Sequence, residues 1–325
     1  MLIIARPKRE VFTQYLYGVH SVYSAICFRH RVIHKLYMRT DSVEEKDSHN
    51  LLFPWLVRIK SAASEAGIPI VKTSNAHLTK MVNGRAHQGF VLEASQMPVK
   101  TVNQQTVSDL LDFQSLCSQN QHSNIVFRHV RPLILLIDHL TDVMNFGSVI
   151  RSAVFFGASA LLFSPHPCVG PSPLVSKLSV GALECLPLYR LTDVSYDLRL
   201  LVDAGFLLVG TAGSYKRETL GGDPVPTWLL TGDQVGVPDG GEGDVHPRPL
   251  ILALGCESRG LSEEVLRACH LRLRIVGSQE SIINPNDDFS STPSSLNVAV
   301  AAGILLYQLT YLRHGPEAMK SCFQL

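Results

Sequence analysis

Three short stretches hold the residues that could do chemistry. DHLTDVMNFGSVIR runs from Asp138 to Arg151, GCESRGLS from Gly255 to Ser262, and SSLN from Ser294 to Asn297. Arg151 is the residue whose place most needs a reason. It falls beside an apolar arc early in a helical pattern, where the macrodipole disfavours a cation. Two readings fit it. One is a guanidinium snorkelling to solvent or pairing with Asp138 or Asp142; the other is a cation held near an anionic or developing-anion substrate. Gly255 and Gly260 either admit a ligand close to the backbone or simply make a turn. Ser295 and Asn297 precede an apolar helix, where hydroxyl, amide and backbone N–H groups either converge on a ligand or cap the helix.

Each stretch is positioned by its neighbours. Leu133 to Ile137 is an unbroken apolar run, as expected of a parallel strand covered on both faces. Asn145 and Gly147 then break the chain, and from Ser148 the pattern is helical, with Val149, Ile150, Ala153 and Val154 on one arc and Gly157 as the stop. Ala160 to Phe163 reads as the next strand. In such β–loop–α–β units ligands gather beyond the carboxyl ends of the strands, which sets Asp138, Asn145 and Arg151 at the mouth of a site. Leu250 to Leu254 is a second buried strand leading into the glycine-bracketed turn, with Ser262 as the cap of the next helix. LRLRIV is a strand ending at Val276, and VAVAAGILLYQL a helix following Asn297. Between these lie a helix from Leu174 to Cys185, a strand from Pro187 to Leu191, a helix from Tyr196 to Ala204 and a strand from Phe206 to Thr211. The Gly-, Pro- and Asp-dense stretch from Tyr215 to Arg248 reads as a surface excursion.

The first part of the chain has its own pattern. Residues 1–14 read as a basic leader, and 15–95 as a small domain of alternating short strands and helices. Its turn from Gly84 to Gln88 is either an RNA contact or a plain turn. Residues 96–130, rich in Gln, Ser, Asn and Thr, read as a linker with one helical turn or two, and the second domain spans 131–325.

At 325 residues the chain can bury two cores, and 46% hydrophobic with 18% charged residues is globular composition. The net charge of +1 is uninformative, but in the first forty residues Glu10 is the only acid against seven Lys and Arg. That suits an RNA-contacting surface, the remnant of an organelle-targeting region, or a solvated face. No apolar run approaches the ~20 residues that cross a bilayer. Seven scattered cysteines without a CxxC pair are a reduced pattern, and no metal-binding motif accompanies the 13 histidines. The absence of GxGxxG after a strand, of GxxxxGK[ST] and of GxSxG excludes nicotinamide dehydrogenases, P-loop hydrolases and nucleophile-elbow hydrolases.

Three ordered motifs, NFGxxxR, GxExxGLS and SSLN, together resemble the SpoU/TrmH branch of the SPOUT class, S-adenosylmethionine-dependent RNA ribose 2′-O-methyltransferases. Asn145, Gly147 and Arg151 match the first motif, Gly255, Glu257 and Gly260 the second, and Ser295, Leu296 and Asn297 the third. YLYGVHSVYSAI and HQGFVLEA are similar to the ends of the family's L30e-like RNA-binding domain. The resemblance covers nearly the whole chain and is strongest to members that methylate a guanosine of mitochondrial large-subunit ribosomal RNA. It implies an α/β fold with a parallel sheet, a C-terminal trefoil knot, a homodimer, a mitochondrial matrix location and no metal. It places Thr211, Gly255, Gly260, Ile275 and Leu296 at the S-adenosylmethionine, and Asn145, Arg151, Glu257, Ser295 and Asn297 at the reacting ribose. In this reading Arg151 orients the 2′-hydroxyl and stabilises the developing alkoxide, because a guanidinium with a pKa above ~12 is a poor base. Two features depart from the family pattern. Ile275-Val276-Gly277 stands where Ile-Pro-Met is usual, and 277–293 is longer and more polar than expected, an insertion like 215–248. The competing readings are a non-catalytic rRNA-binding assembly factor and the same reaction on tRNA.

Overall fold

A computed structural model of the chain describes residues 12–40, 52–112, 132–165, 167–212, 227–230, 248–256, 259–275 and 296–322. They form two compact units. One holds the residues up to Pro98 together with Pro171–Cys185; the other holds Val99–Gly170 and the chain from Leu186 onward.

In the first unit, strands β1 (Thr13–Tyr17), β2 (Ile33–Arg39), β3 (Ile70–Thr73) and β4 (Phe90–Ser95) make a mixed sheet in the order β1-β4-β2-β3. Helices α1 (Val19–Phe28) and α2 (Phe53–Glu65) cover it, burying Val22, Ile26 and Ile59 against Leu16, Leu36 and Leu92. Helix α3 (Asn75–Met81) is capped by Ser74, whose side chain accepts the His77 N–H. β1 begins inside the stretch read as a leader, because pairing with β4 gives its backbone groups partners that no sequence pattern announces.

Pro171–Cys185 packs within this unit. The single helix expected from Leu174 is broken into α6 (Pro173–Leu178) and a 3₁₀ turn (Ala182–Cys185). The break falls at Val180 and Gly181, with φ of 55° and 81°. A Cβ on Gly181 would lie 2.7 Å from the His20 carbonyl oxygen, so close packing against α1 selects glycine there. The turn also delivers Glu184 to Arg31. Their side chains are 1% and 0% exposed and pair through two hydrogen bonds, 2.7 and 3.0 Å, while Arg31 donates further to Gln14 and to the Ser95 carbonyl. With every group satisfied the pair is tolerable; removing one partner of such a pair costs about 3–5 kcal/mol.

The second unit is built on eight strands: β5 (Val99–Thr101), β6 (Leu133–Ile137), β7 (Ala160–Phe163), β8 (Leu188–Arg190), β9 (Leu207–Thr211), β10 (Thr227–Leu230), β11 (Leu250–Leu254) and β12 (Leu271–Ile275). Every pairing is parallel, in the order β10-β12-β9-β11-β6-β7-β8-β5. On one face Ile134, Leu136, Leu162, Leu208 and Ile251 meet α4 (Gln104–Leu111), α7 (Val194–Asp203) and α8 (Glu263–Ala268). Alternation sends Leu133, Leu135 and Ile137 to the other face, where they are equally buried. Helix α5 (Val143–Phe155) packs against α9 (Val298–Cys322). The buried apolar runs therefore become strands, as read. Two parts of the sequence reading change here. β5 lies inside 96–130, taken as a linker with one helical turn or two, of which α4 is the helical part, and β10 lies inside the 215–248 excursion. Both strands are at sheet edges, where one pairing partner suffices and the hydrophobic signal is weak.

Candidate active site

The strand order sets the place of the site. From β6 the chain moves through β7 to β8 on one side, then crosses to β9 on the other, and β11 fills the position between β9 and β6. The order reverses between β6 and β11, and the crevice beyond the carboxyl ends of strands at such a reversal is where open parallel sheets bind ligands. Asp138 follows β6 there and Gly255 follows β11.

Asp138 is fully buried. Its N–H donates to the Leu254 carbonyl at 2.8 Å, and its Oδ2 accepts the Ser262 N–H at 2.6 Å. Its Oδ1 lies 2.7 Å from His139 Nδ1, outside hydrogen-bond alignment. His139 holds φ at 54° and donates its backbone N–H to Ser164 Oγ at 2.8 Å. One carboxylate thus ties the end of β6 to the start of α8. Sequence reasoning placed Asp138 at the mouth without giving it this task; a lone carboxylate ending an apolar strand was the available signal. Ser262 occupies the cap position of α8, but its side chain makes no cap bond; its backbone N–H goes to Asp138 instead.

The turn between is backbone against backbone. Cys256 N–H donates to the Gly260 carbonyl at 3.1 Å and Gly260 N–H to the Cys256 carbonyl at 2.9 Å. A Cβ on Gly255 would collide with the main chain of Gly260 and Leu261, and Gly260 has φ of 72°, so both positions demand glycine. Glu257 lies outside the described residues. Because β12, β9 and β11 are neighbours, Ile275, Thr211 and Gly255 end on one edge of the sheet. The donor set at this edge is main-chain N–H and C=O groups, a threonine hydroxyl and small side chains. It fits a neutral heteroaromatic group held by the backbone, as an adenosine would be. Leu296, also expected at the cofactor, is 48% exposed before α9.

Asn145 and Gly147 do not break the chain: they lie in the first turns of α5, which begins at Val143 rather than near Ser148. Asp142 decides this, because its side chain accepts the Asn145 N–H at 2.7 Å and so starts the helix early. Gly147 is buried in the helix. Asn145 Oδ1 accepts from Asn297 Nδ2 at 3.0 Å, and Asn297 Oδ1 accepts the Ala299 N–H at 2.9 Å. Asn297 is thus at once the cap of α9 and the bridge to α5. Arg151 is exposed, one and a half turns beyond Asn145 on α5, and pairs with neither Asp138 nor Asp142; it has no hydrogen bond or ion pair to any described residue. Ser295 lies outside the described residues. The first and third motifs are therefore joined through Asn145 and Asn297, and the second is joined to β6 through Asp138.

Among the described residues no three His, Cys, Asp or Glu side chains gather as metal ligands, and no helix is long and apolar enough to cross a membrane. Among the described residues five cysteines are free thiols, and burial pushes Cys185 and Cys269 up to about 12, which keeps them protonated.

Comparison with known proteins meets this geometry. The model of the SpoU rRNA Methylase family matches residues 132–307, and a model described as RNA 2′-O ribose methyltransferase substrate binding matches 15–99. Mitochondrial rRNA methyltransferase 1 of Schizosaccharomyces pombe is 31% identical over 309 residues, 91% of this chain and 89% of that one. A 23S rRNA (guanosine-2′-O-)-methyltransferase of Pseudomonas putida is 25% identical, over 90% of this chain and 94% of its own. The crystal structure of the SpoU methyltransferase AviRb from Streptomyces viridochromogenes, solved with AdoMet, superposes with a TM-score of 0.56 at 20% identity, covering 93% of this chain and 90% of that one.

Proposed function

The chain belongs to the SpoU rRNA methylase family, and we propose that it transfers a methyl group from S-adenosylmethionine to the ribose 2′-oxygen of a guanosine in mitochondrial large-subunit ribosomal RNA. The carrying observation is the Asn145–Asn297 bridge, which brings the first and third motifs together at the starts of two packed helices, with Arg151 exposed on one of them. The similarity to the S. pombe mitochondrial enzyme supports the compartment and the RNA, and the P. putida enzyme's name supports guanosine.

When bound, S-adenosylmethionine supplies an already activated sulfonium methyl, so the protein's work is positioning and raising the nucleophilicity of a hydroxyl. The edge formed by Thr211, Gly255, Gly260 and Ile275 holds it through main-chain groups, and Leu296, within the third motif, completes the proposed set. Arg151 orients the 2′-hydroxyl and offers a fixed positive charge to the oxygen as its proton departs, and an RNA phosphate accepts that proton. Asn145 and Asn297, already bonded to each other, fix the helix that carries Arg151 and present further polar edges to the ribose. Glu257 and Ser295 belong to the same proposal, as supports of the second-motif turn and of the ribose.

A homodimer with a C-terminal trefoil knot is part of this reading. On α5, Met144, Ser148, Arg151 and Phe155 follow one exposed stripe, with Phe155 74% exposed. On α9, Val300, Ile304 and Tyr307 repeat the pattern, with Tyr307 46% exposed and edge-on to Phe156. Two packed helices presenting apolar stripes form a surface suited to a second copy, with Arg151 in its midst. The experiment is methyl transfer from labelled S-adenosylmethionine to a large-subunit rRNA transcript, followed by nucleoside analysis. Label in 2′-O-methylguanosine is the expected result. Label only on tRNA moves the substrate, and cofactor binding without transfer to any RNA points to an assembly factor.

A further inference from the structure

The first unit contains a cavity of about 360 Å³ beside the turn from Gly84 to Gly89. Its wall is divided by chemistry. Arg39 and Arg85, which carry guanidinium groups, line it together with the polar Asn75 and His87 and the apolar Leu52 and Leu56. The volume falls in the range of small-ligand sites, about 300–1,000 Å³.

His87 is a fixed neutral wall. Its Nδ1 accepts the Gly89 N–H at 3.1 Å, so the ring proton sits on Nε2, 3.2 Å from Thr79 Oγ1, whose own hydroxyl donates to the Asn75 carbonyl. Burial, and then the charge of Arg39, hold its pKa below the ordinary histidine value. The cavity's positive charge therefore comes from the two arginines. The Arg85 guanidinium carbon lies 5.9 Å from the centroid of the Tyr17 ring, and its Nη1 donates to the Tyr17 hydroxyl at 3.0 Å, which uses one of its five donors. The turn is also strained. Asn83 and Gln88 hold φ of 51° and 57°, a conformation costly for residues with a Cβ and concentrated where a ligand must be met.

We propose that this cavity seats one unpaired nucleotide of the substrate RNA, its base against Leu52 and Leu56 and its phosphate between Arg39 and Arg85. A hollow accepts a splayed base, whereas a duplex would need an open surface. The inference rests on the rRNA methyl-transfer reading and adds the place where RNA is gripped away from the reacting ribose.

The test uses the full chain and a large-subunit rRNA fragment, with affinity followed by fluorescence anisotropy over a salt series. Arg39→Ala and Arg85→Ala each weaken binding about tenfold and lower the salt slope by about one. KM for RNA rises in parallel while kcat at saturating RNA and S-adenosylmethionine affinity stay unchanged. Ala86→Trp, at the lining of the cavity, weakens binding by a similar factor without changing the salt slope, because it removes space rather than charge. Lys60→Ala, which removes an exposed charge elsewhere on the unit, changes affinity far less. Arg39→Lys keeps the charge and recovers part of the loss; should an alanine variant fail to fold, Arg39→Lys against Ala86→Trp still separates charge from space. Wild-type affinity in Ala86→Trp, or losses in Lys60→Ala equal to those of the arginine variants, overturns the cavity as a site. Guanosine monophosphate binding as tightly as the RNA fragment overturns it as an RNA subsite. A wild-type protein that methylates no RNA fails the functional reading instead.

Discussion

The two links that join the motifs are built in opposite ways. Asp138 to Ser262 is a buried carboxylate bonded to a backbone amide at the reversal of the sheet. Asn145 to Asn297 joins two neutral amides in an exposed setting at the starts of two helices. The buried link cannot open without stranding a charge or an N–H group away from water. The exposed link can exchange its partner for water, or for a ribose, at little cost. Under the proposed function, rigidity would lie at the edge assigned to the cofactor, and exchangeable polarity where the ribose is proposed to bind.

Substitutions should expose the contrast. Asp138→Ala is expected to lower the stability of the second unit most, by about 2–3 kcal/mol, the range for losing a charged partner of a buried N–H. Chemical denaturation checks this, and unchanged stability would reduce the link to a coincidence of packing. Asn297→Ala should cost about 1 kcal/mol, since it removes an exposed hydrogen bond and a helix cap, and Asn145→Ala less. Both should nevertheless slow methyl transfer at least about tenfold, as expected when a positioning contact is lost. If turnover fell only in proportion to stability, the pair would be a brace for the helices and nothing more.

The smallest effect concerns pH. Burial, and then Arg248, lower the pKa of His270, whose Nδ1 accepts the Leu208 N–H at 3.1 Å. His87 is lowered in the first unit by burial and Arg39. With folded values below the unfolded ~6.5, the unfolded chain takes up protons first as pH falls. The stability these neutral rings contribute is complete above ~6.5 and is lost as pH drops toward the folded values. Thermal melts should fall between about pH 7.5 and 5.5, and His270→Asn, which keeps an acceptor, should flatten the second unit's slope. A rise in melting temperature over that interval would reverse the assignment of both rings as neutral.

Much of this was legible in the residues. Leu133–Ile137 and Leu250–Leu254 are apolar enough to be nothing but covered parallel strands, and Gly255 and Gly260 are placed where only glycine fits. What escaped notice depends on partners distant in sequence. β5 pairs with β8 and β10 with β12, so neither short edge strand carries its own signal. Asp142 outweighed the Asn–Gly breaker because a cap fixes a helix start more firmly than a propensity delays it. Val180 sits at positive φ beside Gly181, which packs on α1, and nothing local in the sequence announces it. The meeting of Asn145 and Asn297 across 152 positions follows from the way α5 and α9 pack, which no local pattern contains.

The direct test of the account is the Arg151→Ala variant, assayed for methyl transfer to large-subunit rRNA with S-adenosylmethionine binding measured by calorimetry on the same preparation. The account predicts turnover reduced by about 10²–10³, the range for removing a group that stabilises a developing oxyanion, with cofactor affinity intact. Near-normal turnover with the guanidinium gone would contradict it.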